Sequence, residues 1–269
     1  MLAKQSEWEV FYASMLKRTG LDLYLYRPNQ LQRRILSLAE NKGFKNLAEF
    51  WRFLAQQQEN IDWFCDHLAI NVSELFRNPD KWREMETKII PTLLEKNSRL
   101  KVWSAGCSYG AEAYTLAMIL DKKFTGGHRI IGSDIDLAAL RQAGRGEFTR
   151  NDTRAVPQEY KEYLHETNGA FFADEKLRKY LSFKKQNLLA DRFESGFDMI
   201  MCRNVVIYFT EEAKNELYKK FFDALKPGGI LFIGSTERIP NPEDIGLETA
   251  MPFFYQKPML RNNTWRNAS

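Results

Sequence analysis

A chain of 269 residues with 44% hydrophobic and 13% aromatic side chains has room for one large domain or two modest ones and enough apolar mass for a core, which excludes a disordered polypeptide. Its 39 Lys and Arg against 35 Asp and Glu leave a net charge of +4, too mild by itself to point to a nucleic-acid partner. Three widely spaced cysteines, Cys65, Cys107 and Cys202, with no Cys-x-x-Cys pair, suggest neither a disulfide framework nor a zinc site and fit a reducing cytosol.

The first residues, Met1 to Glu9, lack an apolar core of signal-peptide length, and no later run approaches the roughly 18 apolar residues of a membrane span, so a soluble, cytoplasmic protein is expected. Residues 1 to about 95 read as helices. Trp8, Phe11, Tyr12, Met15 and Leu16 share one apolar face at helical spacing. A second helix opens at Pro28, because proline suits the first helical turn; it buries Leu31, Ile35 and Leu38 and ends near Gly43. Leu47, Phe50, Trp51 and Leu54 mark a third helix, and Ile61, Phe64 and Leu68 a fourth.

From Lys101 short apolar strands alternate with helices, the pattern of a parallel sheet covered on both faces. Strands are expected at Lys101 to Ala105, Arg129 to Ser133, Leu181 to Gln186, Phe197 to Cys202, Ile230 to Ser235 and Phe253 to Gln256. A helix over Ala111 to Leu120 follows the first strand, and another over Glu211 to Leu225 is stopped by Lys226-Pro227-Gly228-Gly229. Between Gly144 and Tyr180 the pattern blurs, so an inserted subdomain is expected there, and the tail after Pro258 reads as disordered. The resulting division is a helical domain over 1–72, a connecting segment and helix over 73–97, and an α/β domain over 98–269 with its insertion at 145–180.

Ligands of open α/β sheets sit outside the carboxyl ends of the strands, so polar residues there are site candidates. Ala105-Gly106-Cys107-Ser108-Tyr109-Gly110-Ala111-Glu112 is a small-residue loop feeding a helix, where glycine permits close backbone approach and the helix start offers free N–H groups. Its spacing is neither the dinucleotide G-x-G-x-x-G nor a phosphate loop. Ser133-Asp134-Ile135-Asp136 ends the second strand; Asp134 is placed to hold ribose hydroxyls and Asp136 to cap the next helix. Asn187-Leu188 and Asn204-Val205 add two further polar strand ends, with Tyr208 four residues beyond Asn204.

Taken with Asn71-Val72-Ser73-Glu74-Leu75-Phe76-Arg77 and Cys202-Arg203-Asn204-Val205-Val206-Ile207-Tyr208-Phe209, these motifs resemble, in order and over nearly the whole chain, the CheR chemotaxis receptor methyltransferases. The resemblance implies a Rossmann-like class I methyltransferase sheet behind a small all-α N-terminal domain. It also implies S-adenosylmethionine as cofactor, with S-adenosylhomocysteine as product and no metal, and glutamate side chains of chemoreceptors as substrate. Carried over, Asn71, Ser73 and Arg77 match the segment that closes over the cofactor, Gly106 and Glu112 the glycine loop, Asp134 the ribose site, and Asn187, Leu188, Asn204 and Val205 the rest of the nucleoside site. The loop departs from the family's usual Ser-Thr-Gly-Glu-Glu-Pro-Tyr at Tyr109, Ala111 and Ala113.

An unperturbed glutamate is already ionised at neutral pH, so methyl transfer to it needs no general base. Accordingly His67, His128 and His165 fall outside every motif. Arg77 and Tyr208 are the candidates for orienting the substrate carboxylate. From Lys17 to Lys45 seven basic residues, Arg27, Arg33 and Arg34 among them, face two acidic ones; Arg33 and Arg34 are the substrate-docking candidates, suited to an acidic receptor helix. Partners are therefore expected to be the cytoplasmic helical bundle of chemoreceptors, met transiently at membrane arrays by a monomer that neither inserts in the membrane nor binds nucleic acid. The competing readings are a regulator that binds the cofactor without catalysis, suggested by Tyr109 and Ala111, and a nucleic-acid amino-methyltransferase, which would commonly carry Asn/Asp-Pro-Pro-Tyr where Val205-Val206-Ile207 stands.

Overall fold

Four amphipathic helices come first: α1 (Gln5–Thr19), α2 (Pro28–Asn41), α3 (Leu47–Gln56) and α4 (Gln58–Leu68). The structure is a computed structural model that describes residues 4–68, 73–124, 126–235 and 237–259. The expected disordered tail, from 260 on, lies outside the described residues. The four helices close on their own core of Phe11, Met15, Ile35, Phe50, Leu54 and Phe64. Leu16, placed on the buried face of α1 by its spacing, is instead 40% exposed, because the stripe drifts off the contact at the last turn. The α2 helix starts at its proline and ends at Asn41, and Gly43 follows with φ +84°. Asn46 accepts a hydrogen bond from the Glu49 N–H and so starts α3.

A broken helical segment, α5 (Pro79–Glu84), a π-helical turn (Met85–Ile89) and α6 (Ile90–Leu94), leads into the sheet. The sheet is built from β1 (Lys101–Ala105), β2 (Arg129–Asp134) and, after the small strands β3 (Glu147–Phe148), β4 (Leu164–Thr167) and β5 (Ala170–Ala173), from β6 (Leu181–Lys185), β7 (Phe197–Cys202), β8 (Leu225–Ile233), β9 (Glu248–Met251) and β10 (Phe254–Gln256). The spatial order is β6-β2-β1-β7-β8-β10-β9; the first five run parallel, β10 pairs antiparallel with β8, and β9 pairs antiparallel with β10. Chain order reverses between β1 and β7, so the crevice above their carboxyl ends is where this topology seats a ligand.

The helix α7 (Ala111–Lys123) follows β1 and is buried continuously from Ala111 to Leu120, which explains its run of small and apolar residues. The next, α8 (Leu137–Arg145), follows β2, and α9 (Glu211–Ala224) packs on the opposite face through Leu217 and Phe221 against Trp103 and Ile200. One expectation changes here. The chain enters β8 at Leu225, ahead of the Pro227-Gly228-Gly229 stop, and those residues form an irregular step in the ladder, with Phe197 paired to Leu225 and Met199 to Ile230. The blurred stretch 145–180 folds into a separate antiparallel sheet, β3-β5-β4, whose short exposed strands carry too little apolar alternation to be read from sequence. Among the described residues no helix is long and apolar enough to cross a membrane.

Candidate functional site

The β1–α7 loop is drawn onto the end of β2 by its backbone: Gly106 and Cys107 N–H both donate to the Ser133 carbonyl, at 2.8 and 2.9 Å. Gly106 sits at φ +71°, and a Cβ added there would lie 2.5 Å from Val205 Cγ2, so only glycine lets the loop close against the end of β7. Ser108 N–H donates to Asp134 Oδ2 at 2.7 Å, and Asp136 N–H donates to Oδ1 at 3.0 Å. Each carboxylate oxygen thus keeps acceptor capacity for an incoming hydroxyl pair. Burial pushes the Asp134 carboxyl above its ordinary range, against the backbone N–H groups of Asp136 and Ser108 that favour its charged form. Asp136 itself caps α8, accepting from Ala139 N–H at 2.9 Å.

Glu112 lies in the first turn of α7, buried, with Oε1 2.7 Å from Arg203 Nη1. Burial raises its pKa, and the Arg203 and Arg77 cations oppose that rise. Arg203 was quoted in the sequence only as part of a strand-end motif, yet it is the hub of the site. Its side chain is 0% exposed, its second nitrogen donates to Asn78 Oδ1 at 2.6 Å and to the Arg77 carbonyl at 3.3 Å, and the guanidinium stacks 4.8 Å from the Phe232 ring. The only sequence signal for it was a charged residue directly after the apolar run Met199-Ile200-Met201-Cys202. Glu237 was missed altogether: its Oε2 accepts from Asn204 N–H at 2.9 Å and Gly234 N–H at 2.6 Å, holding Asn204 at φ +59°.

Of these groups, Gly106, Ser108, Glu112, Asp134, Arg203 and Asn204 border one cavity of about 700 Å³, within the usual range for a cofactor pocket. From the sheet side it is lined by Gly106, Glu112, Asp134, Asn187, Leu188, Asn204, Val205 and Tyr208, with Ser73 and Arg77 from the connecting segment. The helical domain contributes Tyr26, Leu31, Arg33, Arg34, Ser37 and Cys65. The cofactor-binding, carboxylate-orienting and docking candidates therefore border a single cavity, except Asn71, which lies outside the described residues. Asn187 also forms its own turn, with Oδ1 accepting from Leu189 N–H at 3.0 Å. Tyr208 ends a single 3-10 turn, and burial pushes its phenol up while the Arg77 cation lowers it.

The basic stretch 17–45 does not act as one surface. Arg34 donates twice to the His67 carbonyl, at 2.6 and 3.0 Å, and Arg27 reaches across to Glu211 at 2.7 Å; of the seven basic residues only Arg33 and Arg34 border the cavity. Tyr109, which breaks the family pattern, is not a lining residue. Its hydroxyl accepts from Ser73 N–H at 3.2 Å and has its one proton within reach of both the Ser73 carbonyl and Asp152 Oδ1, the latter at 3.1 Å, tying the connecting segment to the turn after β3. His128 is buried and accepts from Leu100 N–H at 3.2 Å, whereas His67 packs on Trp63 and His165 faces Asp174, all away from the cavity. Among the described residues no group of three His, Cys, Asp or Glu is placed to hold a metal ion.

The donor set suits a cationic nucleoside. One buried and one partly buried carboxylate, Glu112 and Asp134, stand at the cavity wall, a glycine edge lets a ligand approach the backbone, and apolar walls surround the rest.

A protein-family model described as CheR methyltransferase, SAM binding domain, matches residues 71–251, and one described as CheR methyltransferase, all-alpha domain, matches residues 6–69. The chemotaxis protein methyltransferase of Listeria monocytogenes is 40% identical over 252 residues, spanning 92% of this chain and 96% of that protein. That of Borreliella burgdorferi is 35% identical over 255 residues, spanning 88% and 89%. The Escherichia coli chemotaxis protein methyltransferase is 28% identical over 245 residues, spanning 84% and 82%.

Proposed function

The chain belongs to the CheR methyltransferase family, S-adenosylmethionine-dependent enzymes that methylate chemoreceptors, and from that premise we propose that it esterifies glutamate side chains of those receptors in the cytoplasm. The observation that carries the reading is the convergence of Asp134, Glu112, Arg77 and Tyr208 on one cavity: two carboxylates for a cationic nucleoside, and a guanidinium and a phenol for an anionic acceptor.

S-adenosylmethionine, when bound, supplies an electrophilic methyl group on a sulfonium. The rest is the work of this chain. In our reading Asp134 accepts the ribose hydroxyls with the lone pairs its two backbone partners leave, and Glu112, kept charged by Arg203, accepts from the cofactor's ammonium group. Gly106, Asn187, Leu188, Asn204 and Val205 shape the nucleoside wall, with Ser73 beside them and Asn71 assigned to the same role by resemblance. Arg77 and Tyr208 hold the glutamate carboxylate in line. Such positioning can remove roughly 7–11 kcal/mol of a barrier, and no proton has to leave the acceptor, so the lack of a histidine in the cavity is no obstacle. Arg33 and Arg34 meet the acidic face of the receptor helix.

The test is methyl transfer from radiolabelled cofactor to receptor membranes in which the acceptor glutamates are intact or replaced by Gln or Ala. Label that depends on those glutamates and is released by mild alkali as methanol is expected. Alkali-stable label, or label indifferent to the replacements, would overturn the carboxylate reading; cofactor binding by calorimetry without any transfer would make the protein a cofactor-binding regulator.

A further inference from the structure

We propose that Arg27 is a positioning residue for Tyr208, locking the loop after β7 to the start of α2 so that the two walls of the cavity move as one body; the inference rests on the reading above, in which Tyr208 faces the acceptor carboxylate.

The loop has little structure of its own. Asn204 is left-handed at φ +59°, Val206–Tyr208 is a single 3-10 turn, and α9 begins only at Glu211. Its stability is borrowed from the helical domain. Residues 25–27 cross it as a short antiparallel bridge, with Arg27 N–H donating to the Tyr208 carbonyl and Thr210 N–H to the Leu25 carbonyl, both at 2.9 Å. The Tyr26 and Phe209 rings meet edge to face at 5.2 Å across it.

The Arg27 side chain then braces what its backbone begins. Nε donates to the Phe209 carbonyl at 3.2 Å, and Nη2 to Glu211 Oε1 at 2.7 Å, which also takes Lys214 at 2.9 Å. One guanidinium thus grips the residue after Tyr208 and the first turn of α9 together. Arg27 is also the residue before Pro28, so the same grip fixes where α2 starts and hence where Arg33 and Arg34 stand relative to Tyr208. The ion pair is half-exposed, with side chains 45% and 66% accessible, and such pairs contribute little to stability. Its effect belongs to geometry, because a small misplacement of a positioning group lowers the rate far more than it lowers the fold's stability.

Substitution at Arg27 leaves its backbone N–H in place, so the side chain can be tested alone. Cofactor Kd, and kcat and KM for receptor methylation, are measured for Arg27→Ala, Arg27→Lys, Tyr208→Phe and the Arg27→Ala/Tyr208→Phe double variant. Arg27→Ala is expected to lower kcat about three- to tenfold with cofactor Kd within about twofold, and to lower it less than about twofold when Tyr208→Phe is already present. Arg27→Lys, which keeps the charge but not the fork, should recover only part of the loss. An equal loss in both backgrounds, or a loss confined to cofactor Kd, would overturn the proposal. Amide exchange at Thr210 needs no substrate: faster exchange in Arg27→Ala is expected, and unchanged exchange also overturns it. If wild-type protein transfers no methyl to glutamate while Thr210 exchange responds as expected, the functional reading falls and the clasp stands.

Discussion

Arg203 carries its charge with no solvent access, and its removal would strand Glu112 as a buried carboxylate without its cation. Breaking such a pair from one side costs about 3–5 kcal/mol, so Arg203→Met is expected to lower unfolding free energy by that order in urea titration. Glu112 would then take a proton, and loss of a charge-assisted bond worth about 1.5–3 kcal/mol should weaken S-adenosylmethionine roughly ten- to a hundredfold. The same carboxyl sets a pH dependence whose sign follows from its raised pKa. In the free protein Glu112 holds a proton at pH values where an exposed glutamate is ionised, whereas the cofactor's ammonium group needs the charged form. Affinity should therefore rise as pH rises through the raised pKa, and calorimetry on Glu112→Gln should find that rise abolished. Stability of the free protein runs the other way: the folded state binds this proton more tightly than the unfolded chain, so the Glu112 contribution is lost as pH climbs from the unfolded to the folded pKa. None of this was legible from composition. Arg203 and Glu112 are 91 residues apart in sequence, and their pairing is a product of the β1–β7 adjacency.

Strand ends were the most legible elements, because an apolar run that stops at a polar residue marks both the strand and the rim of the crevice. Asp134 and Asn204 were found that way, and Asp136 was read as a cap for the reason it caps. The β8 start was misread because a proline-glycine signal was taken to end a helix and delay a strand, whereas a step in the ladder absorbs Pro227 and the two glycines. Two glycines make the element-scale argument testable. Gly106→Ala must place a Cβ 2.5 Å from Val205 at φ +71°, and should cost about 1–3 kcal/mol and weaken the cofactor by shifting Val205 into the cavity. Gly144 lies exposed in α8 with nothing within 4 Å of an added Cβ, so Gly144→Ala should instead stabilise by roughly 1 kcal/mol. Thermal melts and cofactor titrations on both variants would separate the two effects; equal shifts would contradict the assigned geometry.

At the scale of the molecule, the cavity is an interdomain space: Tyr26, Leu31, Arg33 and Cys65 belong to the helical half, and Gly106, Asp134 and Val205 to the sheet. Sequence periodicity revealed both halves but not that they share a ligand, since periodicity reports which face of an element is buried and not what buries it. Ile135, immediately before the Asp136 cap, packs against the helical core, and Leu25 and Tyr26 pack against the sheet core, so the halves are interleaved around the site. A cofactor seated there contacts both and should stabilise them together. At a hundredfold excess over Kd, S-adenosylmethionine is expected to add about 2.7 kcal/mol and to raise a single cooperative transition in calorimetry. Two transitions of which only one moves would place the ligand within one half.

The cavity wall also carries a chemical reporter. Cys65 is half-buried at the lining, while Cys107 and Cys202 are buried, and burial pushes the Cys65 thiol up to about 11. Alkylation is consequently slow at neutral pH but selective, and a seated cofactor shields the sulfur. Mass spectrometry of an iodoacetamide time course would then give occupancy as a footprint, without a methylation assay, and labelling at Cys65 that is indifferent to S-adenosylmethionine would show that the ligand lies clear of α4.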